Sequence, residues 1–125
     1  MRGGRQEVGR RGEDAVCEYL TSHGHTVLSR NWRWRHLEVD IVSLAPDGVH
    51  FVEVKSRVAP EAADPSENVR GAKQRNISRA AVKYMEKAPA GVGDREIWLD
   101  VASVVFEGGD VKIDYMPGAY VPIYL

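Results

Sequence analysis

The run FVEVKSR at residues 51–57 places Glu53 and Lys55 two positions apart inside an apolar segment. Phe51, Val52 and Val54 favour extended chain, and a pleated strand sends alternate residues to one face, so the acid and the base share a face. Upstream, EVDIVSL carries Asp40, and between the two segments APDG is a turn signal that makes them a hairpin. A regular hairpin with Leu44 opposite Val49 would set Asp40 opposite Glu53. Carboxylates whose Cβ atoms are about 5 Å apart repel by about 3 kcal/mol at an effective dielectric of about 20. Protonation of one carboxyl or a divalent cation between them would relieve this. The cation also accounts for Lys55, which can meet a metal-bound water or a phosphate oxygen.

The plain alternative is an edge strand with its charged face in water. Against it, Val39 and Ile41 are expected on one face and Val42 and Leu44 on the face of Asp40, which is the pattern of strands covered on both sides. The charged face then opens into a cleft. Glu38, two before Asp40, is expected to support it from the same face. A buried ion network without chemistry is the remaining structural account.

The elements that must position these residues follow in order. GRRGEDAVCEYLTSHGH carries Ala15, Val16, Tyr19 and Leu20 as an amphipathic stripe, predicting a helix from about Glu7 to His23, stopped by Gly24. TVLSR reads as a short strand, followed by the Arg/Trp-rich NWRWRH. Beyond the hairpin, a loop at about 57–69 with two prolines is expected to move. A second helix from about Arg70 to Lys87 turns Ile77, Ala81, Tyr84 and Met85 inward. REIWLDVASVVF and VKIDYM are strands split by EGGD, and residues 117–125 are left as a tail that packs on the body. The whole predicts one α/β domain over 1–125, with a single mixed central sheet of about five strands flanked by helices.

A chain of 125 residues is about one domain, able to bury a core without metals or disulfides. Cys17 is the only cysteine, and the histidines at 23, 25, 36 and 50 lack ligand spacing, so they are expected at the surface or in turns. With no long apolar run and no signal-peptide core, no membrane association is expected, and a cytoplasmic setting is. The net charge of −1 conceals segregation. Residues 1–35 carry seven basic and four acidic side chains and residues 70–87 six and one, whereas residues 36–69 carry two and seven. A basic rim around an acidic centre is one reading, and ordinary solvated helix faces are the other.

Arg30, Arg33 and Arg35 interleave with Asn31, Trp32 and Trp34 just before the Asp40 strand. Arginines neutralise phosphates, and exposed aromatics stack on unpaired bases. One of the two tryptophans is expected in the core. Nothing resembles base readout along a recognition helix.

Glu13 on the first helix, Asp40 on the second strand and Glu53-Val54-Lys55 on the third resemble the PD-(D/E)xK core of restriction endonucleases and archaeal Holliday junction resolvases. More closely, GRRGEDAV, RNWR, EVDIV, FVEVKSR, KQR and WLDVASV resemble, in order, the small bacterial YraN-like family. Val39 stands where the wider superfamily usually has proline, and Leu37 where the YraN-like pattern tends to carry glycine. The resemblance implies a restriction-endonuclease-like fold. It also implies a Mg²⁺- or Mn²⁺-dependent nuclease in which Asp40, Glu53 and Glu13 surround the metal, the Val54 carbonyl is a further ligand, and Lys55 orients or helps deprotonate the attacking water. By the same resemblance, Lys73, Gln74 and Arg75 stand beside the site, Gln74 to bind a metal water or a phosphate and Lys73 and Arg75 to hold the backbone of DNA, branched or single-stranded. Glu13 as a helix-dipole acid and residues 73–75 as a solvated face remain the plain readings. A branch-specific enzyme making two symmetric cuts would be a homodimer. The alternative from another class is a nuclease-fold DNA-binding adaptor with feeble or no activity.

Overall fold

The computed structural model describes residues 4–60 and 70–123. The loop expected at about 57–69 therefore falls largely on residues 61–69, outside the described residues. Helix α1 (Gly4–Ser22) buries Val16 and Leu20, one turn apart, and begins before the expected Glu7 because Arg5 and Gln6 favour helix. It ends where the Ser22 hydroxyl donates to the Tyr19 carbonyl at 2.8 Å. Strand β1 (Thr26–Trp34) takes in the Arg/Trp-rich segment, whose charges disguise the two-residue period that half-buries Trp32 and Trp34. Neither tryptophan is fully buried, contrary to the expectation of one in the core, because both pack against the core from its margin.

Strands β2 (Leu37–Ala45) and β3 (Gly48–Val58) form the hairpin in the expected register, with Leu44 opposite Val49. The ladder closes one pair further, at Ala45 and Gly48, so the turn is Pro46-Asp47 alone. Gly48 is required there: its φ is 140°, and a Cβ would lie 2.4 Å from the Glu96 carbonyl oxygen. Helix α2 (Arg70–Lys87) lies on the crossover from β3 to β4 (Ile97–Glu107), as parallel neighbours require, and β5 (Asp110–Tyr120) returns antiparallel. The result is a single mixed sheet in the order β1-β2-β3-β4-β5, an α/β fold compatible with a restriction-endonuclease-like one. Among the described residues no helix is long and apolar enough to cross a membrane.

The two faces carry separate cores. Val42, Phe51, Leu99 and Val101 pack with Ile77, Ala81 and Met85 of α2, and Ile41, Val52, Ala102 and Val104 pack with Val16 and Leu20 of α1. Val39 and Ile41, expected on one face, belong to different cores, Val39 to that of α2 and Ile41 to that of α1. Between the pairs Arg30–Ile41 and Trp32–Val39 the partner strand holds Asn31 at φ 53°, a left-handed kink that breaks regular alternation. The expected tail is also corrected in part. Gly118, at φ 65°, lets β5 bulge and recover its pairing, so that Tyr120 is buried opposite Leu99.

His50, expected at the surface or in a turn, is buried on β3 because it has a buried acid to meet. Its Nδ1 donates to Asp100 Oδ2 at 2.5 Å and its Nε2 lies 2.7 Å from Asp47 Oδ1. Asp100, fully buried on β4, also accepts from the Tyr115 hydroxyl and the Gly118 N–H. The Trp98 indole donates to the Asp47 carbonyl at 2.9 Å, completing a polar clamp over the hairpin turn, β3, β4 and β5.

Burial alone would lower the His50 pKa, but the bonds to Asp100 and Asp47 outweigh it and raise the value above the ordinary one. A raised folded pKa means that the stabilisation is complete below about pH 6.5 and disappears as pH climbs through the folded value. His50→Gln should therefore cost about 2–3 kcal/mol at pH 6, as a broken buried pair does, and less at pH 9. Urea-unfolding midpoints of both proteins at the two pH values check this.

Candidate functional site

The β2–β3 ladder pairs residues as far as Ile41 and Val52 and then stops, while β3 stays in register with β4 through Val58 and Phe106. Asp40 stands at the first position of the opening. Its Oδ2 accepts the Val54 N–H at 2.8 Å, so a side chain takes the place of a ladder bond. Asp40 and Glu53, expected as a directly opposed pair, lie just past the last pair of the ladder, and the Asp40 carboxylate reaches the Val54 N–H instead. Burial drives the Asp40 pKa up to about 7. The Val54 bond opposes the rise, and the Glu13, Glu38 and Glu53 carboxylates add to it.

Glu53 and Lys55 follow Phe51 on the face of β3 toward α2, and the Lys55 ammonium lies 3.9 Å from Glu53 Oε2. Lys73, on the first turn of α2, comes closer, at 3.3 Å from the same oxygen. Glu13 arrives from the other side of the sheet. Its helix can approach because residue 12 is glycine: a Cβ there would fall 1.8 Å from Ser56 Oγ. Asn31 Nδ2 donates to Glu13 Oε1 at 3.2 Å, and Arg30 lies 3.6 Å from the same oxygen and 2.8 Å from Asp14.

The structure therefore gathers Glu13, Asp40, Glu53 and Lys55, with Lys73, around the opened end of the hairpin. Of the remaining basic candidates Arg30 reaches Glu13, whereas the others are engaged elsewhere. Arg33 pairs with Glu38 at 2.6 Å, and Arg35 lies over the Trp34 ring, whose Lys83 contact is likewise 4.4 Å. Trp32 meets Tyr84 edge-on. Gln74 donates to the Val121 carbonyl at 2.7 Å, tying the end of β5 to α2, and Arg75 is exposed. At the opening the sequence shows Asn31 only as a polar residue between basic and aromatic ones. At the far end of the strands Asp100 is a charge inside an apolar strand, which is a usable signal for the clamp.

The sequence profile of UPF0102, described as an uncharacterised protein family, matches residues 12–104. A protein of Myxococcus xanthus bearing that family's name is 39% identical over 116 residues, covering 93% of this chain and 90% of the relative. Relatives of the same name from Bacteroides thetaiotaomicron and Syntrophomonas wolfei are 37% and 35% identical, covering 93% and 92% of this chain and 93% and 98% of theirs. The chain belongs to UPF0102. This agrees with the YraN-like resemblance of its ordered motifs, and the matched span holds every residue gathered at the opening.

Among the described residues the opening offers carboxylate oxygens and no thiolate or imidazole, a donor set of the kind hard cations such as Mg²⁺ or Mn²⁺ prefer. Among the described residues no three His, Cys, Asp or Glu side chains converge to hold a metal ion. Mg²⁺ commonly uses one or two carboxylates and fills its shell with water, so Asp40 and Glu53 fit that demand.

A carboxyl held near pKa 7 costs the fold stability as pH rises from about 4, the unfolded value, to about 7, because the unfolded chain ionises first. Asp40→Asn keeps an oxygen for the Val54 N–H and removes that cost. Its melting temperature should exceed that of the parent at pH 8 by several degrees and should show no such gain at pH 4, as calorimetry can measure.

Proposed function

We propose that this UPF0102 protein is a Mg²⁺- or Mn²⁺-dependent nuclease of the PD-(D/E)xK kind, hydrolysing phosphodiester bonds of DNA, branched or single-stranded. The observation that carries the reading is Asp40. A carboxylate spans an opened strand pair beside Glu13 and Glu53, with the Lys55 and Lys73 ammonium groups next to them. Asp40 and Glu53 would hold the metal. When bound, it supplies Lewis-acid stabilisation of the phosphate and a more acidic water.

The protein's own groups do the rest. Lys55 orients the attacking water and neutralises charge growing on the phosphate, in a site that is only partly exposed. Lys73 holds Glu53 in place and supplies a second positive charge for a phosphate oxygen. Glu13, held by Asn31 and Arg30, would add a carboxylate to the site from α1. Arg30 and Arg33 on β1, and Arg35 in the turn after it, would add positive charge for the DNA backbone. A cytoplasmic setting, and a homodimer for symmetric cutting of a junction, belong to this reading.

A second reading, a nuclease-fold DNA-binding adaptor, is favoured by one feature: Glu53 already has two lysines within 4 Å. Cleavage of labelled linear, single-stranded and four-way-junction DNA with Mg²⁺, Mn²⁺ or EDTA separates the two. The nuclease should cut only with metal, and Asp40→Asn should abolish cutting while still binding DNA. Salt-sensitive binding with no metal-dependent turnover in the parent protein would favour the adaptor. Metal binding should also follow Asp40 ionisation, with Mn²⁺ affinity rising about tenfold from pH 6 to pH 8 in titration calorimetry.

A further inference from the structure

Beyond Glu53, the face of the sheet toward α2 continues as a groove of about 630 Å³ that no described residue of α2 lines. Its floor is set by register. Lys55 on β3 stands beside Ser103 on β4, which stands beside Asp114 on β5. In the next row on this face Arg57 stands beside Val105, and Val105 beside Lys112. Alternation puts all six side chains on one face, since Val101, two before Ser103, belongs to the core beneath α2. Arg57 and Lys112 are exposed, and Ser103 and Val105 are half-buried.

Three cations, one hydroxyl and one carboxylate over a partly apolar floor favour a polyanion that also has apolar surface, as a nucleic-acid backbone with its sugars has. The groove begins at Lys55, the residue assigned to the reacting phosphate. Lys55 and Arg57, two residues apart, stand about 7 Å apart along the strand, so they can take successive phosphates of one strand. Lys112 lies across β4 from Arg57, so its charge reaches the same backbone from the outer side.

We propose that this groove is a track for the DNA strand, carrying the sugar–phosphate backbone between Lys55 and Lys112 on β5. The inference rests on the nuclease reading and deepens it, by assigning to β5 a phosphate-binding role outside the matched family span. Among the described residues that line it, Asp114 is the one repulsive group, and it limits the affinity of the track. A negatively charged peptide is the competing occupant.

Fluorescence anisotropy with a labelled single-stranded oligonucleotide, across a salt series, tests the track on the full chain. Lys112→Ala should lower the slope of log affinity against log salt by about 0.7, and Lys112→Glu should weaken binding about tenfold at fixed salt. Asp114→Asn should tighten binding severalfold. Lys112 and Asp114 are exposed, so the melting temperatures of all three variants should match the parent. A parent that binds and cuts DNA, with Lys112 and Asp114 variants that bind it equally well, would overturn the track and leave the nuclease reading intact. A parent that neither binds nor cuts would overturn both. Displacement of the oligonucleotide by polyglutamate at comparable concentration, with the same dependence on Lys112, would assign the groove to acidic peptide instead.

Discussion

The β2–β3 ladder ends while β3 remains paired to β4, and the arrangement of the candidate site depends on this. Parting the strands leaves the Val54 N–H without a strand partner, and a buried donor left so would cost about 1–3 kcal/mol. Asp40 satisfies it at 2.8 Å. The bond that rescues the backbone therefore draws a carboxylate into a partly desolvated gap, where Glu13 and Glu53 raise its proton affinity further. The same geometry that permits the opening concentrates negative charge in it, and the lysines at 55 and 73 partly balance that charge.

The opposite end of these strands is fastened. His50, Asp100, Tyr115 and the Gly118 N–H join β3, β4 and β5, and Asp47 attaches the hairpin turn. A fully buried carboxylate is tolerated only with several donors, and Asp100 has three. With one end of the hairpin clamped by this network and by the Phe51 and Val52 cores, the separation is confined to the residues after Ile41 and Val52. Close approach of α1 through Gly12 then brings Glu13 to the opening from the other face.

Much of the fold was legible. The five strands and two helices, the hairpin register and the inward stripes of both helices follow from periods of two and 3.6 and from turn residues. In the sequence β1 looks short because arginines mask its alternation, and the end of β5 looks like a tail because Pro117 and Gly118 resemble a stop although they form a bulge. Glu53 and Lys55 were legible as a pair because alternation alone puts them on one face.

The sequence by itself determined which residue types are available and where: carboxylates and lysines at fixed positions, on two strand segments joined by a turn. Those are local properties, set by side-chain chemistry and backbone period. Tertiary structure decided which groups meet. Lys73 rather than Arg30 reaches Glu53, Arg30 is taken by Glu13 and Asp14, and Gln74 binds the end of β5. Those pairings join elements far apart in the chain, whose relative placement is set by the packing of two cores, and no period in the sequence encodes it.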